Sequence, residues 1–157
     1  MIARHLGDEA ATARLAAVIA GLARPGDVIA LHGDLGAGKT AFARGFIAAC
    51  AAVDGAPEEE VPSPTFTLVQ TYPFRRFVVH HFDLYRIDRP EDARELGLEE
   101  AMAGGVALIE WPERLGPLLP ADRLDVTLTF VADDGARHLT LSGTDDWMRR
   151  LAACGDV

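Results

Sequence analysis

Asparagine is absent from this chain, and lysine occurs once, at Lys39; of its 15 Lys and Arg residues all the others are arginine. Cysteine is nearly missing as well. Cys50 and Cys154 are too few for a disulfide framework, and a chain that is 49% apolar can bury a core without one. They read as reduced thiols in a cytoplasmic protein. No apolar run approaches the ~18 residues of a membrane span. The opening "MIARHLGDEAATARLAAVIAGLARPGD" lacks the uninterrupted apolar stretch and small-residue cleavage site of a secretory leader. Both features point to the cytoplasm. Positive charge is scarce too, with a formal net charge of −9. Arg75-Arg76 and Arg149-Arg150 come nearest to a basic cluster, and pairs this short read as solvated surface. Such a chain is a poor autonomous binder of nucleic acid, because neutralising phosphates needs clustered cations. No Cys/His set has zinc spacing and no G-x-S-x-G occurs. His80 and His81 are adjacent, so on a strand they face opposite sides; this argues against joint metal binding and for core or surface roles.

The elements that are present alternate. Asp8 caps a predicted helix with Ala11, Leu15, Val18, Ile19 and Leu22 on one face, ended by Pro25-Gly26. "DVIALH" reads as a buried strand and "KTAFARGFIAACAAV" as the next helix. "DGAPEEEVPSP" is a loop. "TFTLVQTY" and "RRFVVHHFDLY" form two strands with a tight connection at Pro73-Phe74. "RPEDARELGLEEAM" gives one or two short helices, with Pro90 suited to a first turn. "GVALIEW" is a buried strand stopped by Pro112. "RLDVTLTF" and "RHLTLS" make a hairpin around "ADDGA", and Thr144 caps a last helix carrying Trp147, Met148 and Leu151. With no repeat and no linker, residues 1–157 read as one α/β domain. Its sheet is mixed and mostly parallel, flanked by helices, with antiparallel hairpins.

Residues 33–40, "GDLGAGKT", fit G-x-x-x-x-G-K-[ST], the phosphate-binding P-loop pattern, with a strand before it and a helix after it. Gly33, Asp34, Leu35, Gly36, Ala37 and Gly38 supply a loop whose backbone N–H groups can turn inward around phosphates, and the helix N-terminus adds roughly half a positive charge. Thr40 can place its hydroxyl on Mg²⁺. Lys39 explains why lysine persists here alone. A compact ammonium on a flexible stem reaches in among phosphate oxygens, whereas the planar fork of arginine crowds a closed nest. Guanine-selective P-loop proteins use an Asn-Lys-x-Asp element. With no asparagine, and its one lysine taken, this chain lacks that element, which favours ATP.

Asp83 and Glu110 follow apolar strands and compete to organise the metal; "VALIE", four apolar residues and an acid, looks more like a Walker B strand. Glu110 can also polarise an attacking water. Thr65, in "SPTF", suits a switch hydroxyl that senses γ-phosphate and Mg²⁺. Arg86 either pairs with Asp83, steadies a phosphate or is plain surface. Trp111 is either core or close to the nucleotide.

The segments "GDLGAGKT", "SPTFTLV", "HFDLYR", "LGLEE" and "ALIEWPERL", in this order over residues 28–120, resemble the bacterial TsaE (YjeE) family. The resemblance implies a small P-loop ATPase needed to make threonylcarbamoyladenosine in tRNA. It implies TsaB and TsaD as partners, tRNA contacted through them, and an ATP cycle that resets the pair between turnovers. It assigns phosphate contact to Lys39, Mg²⁺ to Thr40, metal and water organisation to Asp83 and Glu110, the mobile switch to Thr65 and a place near the nucleotide to Trp111. A monomer in isolation is expected. Two rivals remain at this stage: a small-molecule kinase, for which only Arg89 and Arg94 offer a thin lid, and a module that senses ATP without cleaving it.

Overall fold

The computed structural model describes residues 1–57, 60–132, 135–155 and 157. Glu58 and Glu59 of the acidic loop and Asp133 and Asp134 of the expected hairpin turn lie outside the described residues. Among the described residues, seven strands form one sheet: β1 (Ile2–Leu6), β2 (Val28–His32), β3 (Val69–Pro73), β4 (Val78–Asp83), β5 (Val106–Glu110), β6 (Leu124–Phe130) and β7 (Arg137–Gly143). Their order is β1-β7-β6-β2-β5-β4-β3. The four inner strands, β6, β2, β5 and β4, run parallel, while β7 pairs antiparallel on β6, β1 on β7 and β3 on β4. The mixed α/β sheet is therefore parallel at its centre and antiparallel on both flanks.

The described residues also form four helices, α1 (Glu9–Leu22), α2 (Lys39–Val53), α3 (Leu98–Gly104) and α4 (Asp145–Cys154), with 3₁₀ segments at Pro90–Leu96 and Pro112–Leu118. Asp8 caps α1 as its sequence suggests, accepting a hydrogen bond from the Ala11 amide at 2.8 Å. The two faces of the sheet build two cores. Ile29, Leu31, Val79, Val106 and Leu108 face α1 and α2, with Ile19, Phe42 and Phe46 among their partners. Val28, Phe82, Ala107 and Ile109 face the other way, onto Leu98 and Ala101 of α3 and Leu115. This alternation along β2, β4 and β5 is the period-two pattern of a sheet covered on both sides.

Gly45 sits inside α2, where glycine costs about 1 kcal/mol relative to alanine. A Cβ there would stand 2.8 Å from the Cα of Ala13, so glycine sets how closely α1 and α2 cross. At the other end of α1, the Arg150 guanidinium of α4 grips both carboxylate oxygens of Asp27 at 2.7 and 3.1 Å. That bidentate pair ties the last helix to the entrance of β2.

Two elements depart from the sequence reading. β1 has no counterpart there, because "IARHL" offers only Ile2 and Leu6 as apolar positions; the open edge of β7 recruits it. The strand expected from Thr65 begins only at Val69. Residues 65–68 form a turn in which the Leu68 amide bonds to the Pro64 carbonyl at 2.7 Å and Leu68 takes φ 69°. This turn lets Thr65 leave the strand line and reach the site.

Candidate functional site: a glycine-rich loop and two buried carboxylates

The carboxyl ends of β2, β4 and β5 meet at one edge, where open α/β sheets bind ligands. β2 delivers the loop 33–38, β4 delivers Asp83 and β5 delivers Glu110. Asp83 and Glu110 are directly opposed in the β4–β5 register. The cleft between them and the loop measures about 420 Å³, and Leu35, Ala37, Lys39, Thr40, Thr65 and Trp111 are among its lining residues.

The loop is held to the sheet by close approach. Gly33 has φ 148°, and a Cβ on it would meet the Leu128 carbonyl oxygen of β6 at 2.6 Å. Gly38, in left-handed conformation, caps α2 with no side-chain hydrogen bond, which leaves the first amides of the helix open to a ligand. Ala37 is buried, whereas Asp34, Leu35 and Gly36 are exposed at the rim.

Lys39 is 5% exposed. Its Nζ donates to the Gly33 carbonyl at 2.6 Å and the Asp34 carbonyl at 3.1 Å, and it stands 3.9 Å from the centre of the Trp111 ring. Burial lowers its pKa from the ordinary lysine value, and the nearby carboxylates of Glu110 and Asp83 pull it back up. Trp111 itself adopts φ 59° directly after β5 and packs against Tyr85 at 4.9 Å, so the ring belongs to the site.

Thr40 Oγ1 donates to both oxygens of Glu110, at 3.0 and 3.1 Å. A hydroxyl that donates its proton keeps its lone pairs free, so Thr40 can serve a cation while remaining bound to Glu110. Asp83 is held differently: Thr65 Oγ1 donates to its Oδ2 at 3.0 Å and the Tyr85 amide to its Oδ1 at 3.1 Å. Ser63 lies 2.8 Å from Thr65. Glu110 and Asp83 are 2% and 5% exposed, and the bonds they accept offset the cost of burying charge. One hydroxyl and two carboxylates form an all-oxygen donor set, the chemistry a hard divalent cation prefers. Among the described residues, no group of three or more His, Cys, Asp and Glu gathers into a closed metal cage. A cation here would take its remaining ligands from phosphate and water, as Mg²⁺ commonly does with nucleotides.

Arg86 is exposed over the Phe66 ring at 4.5 Å. Arg137 and His81 are among the residues that support the site without having been singled out for it by the sequence. Arg137 of β7 donates from Nε to the Ala37 carbonyl at 3.0 Å and from Nη2 to the Gly36 carbonyl at 3.2 Å. His81, read from sequence as core or surface, is fully buried with its Nε2 2.6 Å from Glu110 Oε2. The signal for His81 was its place two residues before Asp83, on the same face of β4. For Arg137, a hundred positions away from the loop, no local signal existed.

Comparison with known proteins identifies the family and the fold. The family model described as threonylcarbamoyl adenosine biosynthesis protein TsaE matches residues 6–139. The tRNA threonylcarbamoyladenosine biosynthesis protein TsaE of Rickettsia bellii is 41% identical over 129 residues, covering 82% of this chain and 87% of that protein. The TsaE protein of Treponema pallidum is 39% identical over 132 residues, covering 83% and 93%. The crystal structure of YdiB from Bacillus subtilis superposes with a TM-score of 0.78 at 29% identity, covering 98% of this chain and 93% of that one. The chain belongs to the TsaE family.

Proposed function

We propose that this chain binds Mg-ATP in the cleft above β2, β4 and β5 and hydrolyses it as the accessory ATPase of tRNA threonylcarbamoyladenosine biosynthesis. The observation that carries this reading is the convergence of three groups: the Lys39 ammonium, the open amides at the start of α2, and the Thr40–Glu110 clamp. Lys39 neutralises phosphate oxygens from within the loop. Thr40, Asp83 and Glu110 supply the oxygens that would hold Mg²⁺, which would contribute positive charge beside the phosphates. Glu110 orders the attacking water and accepts its proton as the γ-phosphorus–oxygen bond to ADP breaks. Thr65 joins the loop 61–68 to Asp83, which puts its hydroxyl in place for the switch role.

A kinase lid finds little support. Arg89 is bonded to Asp92 and Arg94 pairs with Glu99, and neither lines the cleft. With a net charge of −9, the chain works on tRNA through partners, and TsaB and TsaD are the partners proposed. Its ATP cycle resets that pair between turnovers.

The test is a reconstituted tRNA modification reaction containing TsaB, TsaD and threonylcarbamoyl-adenylate. Repeated turnovers should require both this chain and ATP, and the TsaB–TsaD pair should raise its phosphate release. Modification and phosphate release that are both indifferent to the combination would overturn the assignment.

A further inference from the structure

His81 stands beside the cleft with no cleft ligand of its own to hold. In the β4–β5 register it lies opposite Leu108, two residues before the Asp83–Glu110 pair and on the same sheet face. A long side chain on that diagonal reaches its neighbour two residues on. It does so here: His81 Nε2 and Glu110 Oε2 are 2.6 Å apart, with exposures of 0% and 3% for the two side chains. Glu110 as a carboxylate only accepts, so the imidazole donates from Nε2. Its other nitrogen, Nδ1, is buried and has no hydrogen-bond partner among the described residues. An apolar side chain would fill the same space without an unmet polar atom. What distinguishes histidine at this position is the bond to Glu110.

Two donors thus fix one carboxylate from different elements, Thr40 from the first turn of α2 and His81 from β4. Thr40 follows the glycine-rich loop and lines the cleft, where a ligand would act directly on its hydroxyl. His81 is set in the sheet behind it. We propose that His81 is a positioning residue that holds Glu110 in the orientation needed to organise the divalent cation of the bound nucleotide. This rests on the Mg-nucleotide reading above. The contact is of the kind that orients metal-organising carboxylates elsewhere, where loss of the supporting group typically costs roughly 10- to 100-fold in metal affinity or activity.

The test compares ADP affinity with Mg²⁺ and with EDTA, by calorimetry, in the parent and in His81→Leu, His81→Gln and His81→Asn. The ratio of the two affinities reads the metal contribution without requiring turnover. Gln can place a nitrogen donor where Nε2 stands; Asn is one methylene short. Expected is a ratio reduced about 10-fold or more in His81→Leu and His81→Asn, with ADP affinity in EDTA unchanged, and a ratio near the parent's in His81→Gln. In turnover, kcat should fall in the Leu variant with KM for ATP little changed, and recover in the Gln variant. Far-UV circular dichroism checks folding; if His81→Leu does not fold, the Gln–Asn pair makes the same comparison. A parental ratio in His81→Leu or His81→Asn, or equal losses in Gln and Asn, would overturn the proposal. A parent whose ADP affinity ignores Mg²⁺ would instead overturn the underlying nucleotide reading.

Discussion

Thr40 and Glu110 lie 70 positions apart in sequence, and the hydroxyl of one spans both carboxylate oxygens of the other at 3.0 and 3.1 Å. This contact closes the first turn of α2 against the end of β5. It ties Glu110 to the end of the glycine-rich loop. Glu110→Gln keeps the shape while removing the carboxylate charge and base. Steady-state phosphate release should fall about 10²- to 10⁴-fold, while ADP still binds in calorimetry.

Lys39→Ala should abolish detectable nucleotide binding and leave the far-UV circular dichroism spectrum unchanged. Lys39→Arg should also be impaired, because the fork does not fit where Nζ reaches the Gly33 and Asp34 carbonyls. An arginine variant with parental turnover would contradict the account of this position.

Trp111 offers an optical reading of the same event. The Lys39 ammonium stands 3.9 Å from its ring centre, whereas Trp147, the other tryptophan, is buried against the opposite end of the core. Drawing the ammonium toward phosphate should alter tryptophan emission on nucleotide addition. Trp111→Phe should remove that change.

Arg137→Ala should weaken ADP binding about 10-fold, since two charge-assisted bonds to the Gly36 and Ala37 carbonyls are lost. Calorimetric titration against the parent checks this.

Much of the site was legible because it is local. The glycine spacing, the lone lysine and the acids that end "FVVHHF" and "VALI" each sit within one strand–loop junction, and their residue types state their chemistry. Arg137 was not legible: its partners are carbonyls on a distant loop, and only the antiparallel pairing of β6 with β7 brings them together. His81 was half legible. Strand period set His80 and His81 on opposite faces without deciding which is buried, and the bond of His81 to Glu110 depends on the β4–β5 register. Among the elements, the strand expected from Thr65 failed because β-branched and aromatic residues there serve a turn held by Pro64 and Asp83. β1 was missed because an edge strand needs a neighbour's open edge more than it needs its own hydrophobic pattern.

Cys50 provides a test of packing away from the site. Burial pushes its thiol up to about 11, with Arg76 opposing and Asp54 reinforcing the shift. A thiol is the reactive species only as thiolate, so in a Cys154→Ser variant a disulfide reagent at pH 8 should label Cys50 slowly in the native protein and fully in denaturant. The raised value also means that the contribution of the neutral buried thiol to stability is intact below the unfolded-state range near pH 8.5. It is lost as pH rises through about 11.

The central claim is that a nucleotide's phosphates sit in the loop 33–38 with Lys39 among them. Calorimetry of the folded protein with a non-hydrolysable ATP analogue and magnesium tests it most directly, alongside Lys39→Ala. Saturable one-to-one binding by the parent and none by the variant is the expected result. No binding by the parent at millimolar nucleotide, or equal binding by the two proteins, would contradict it.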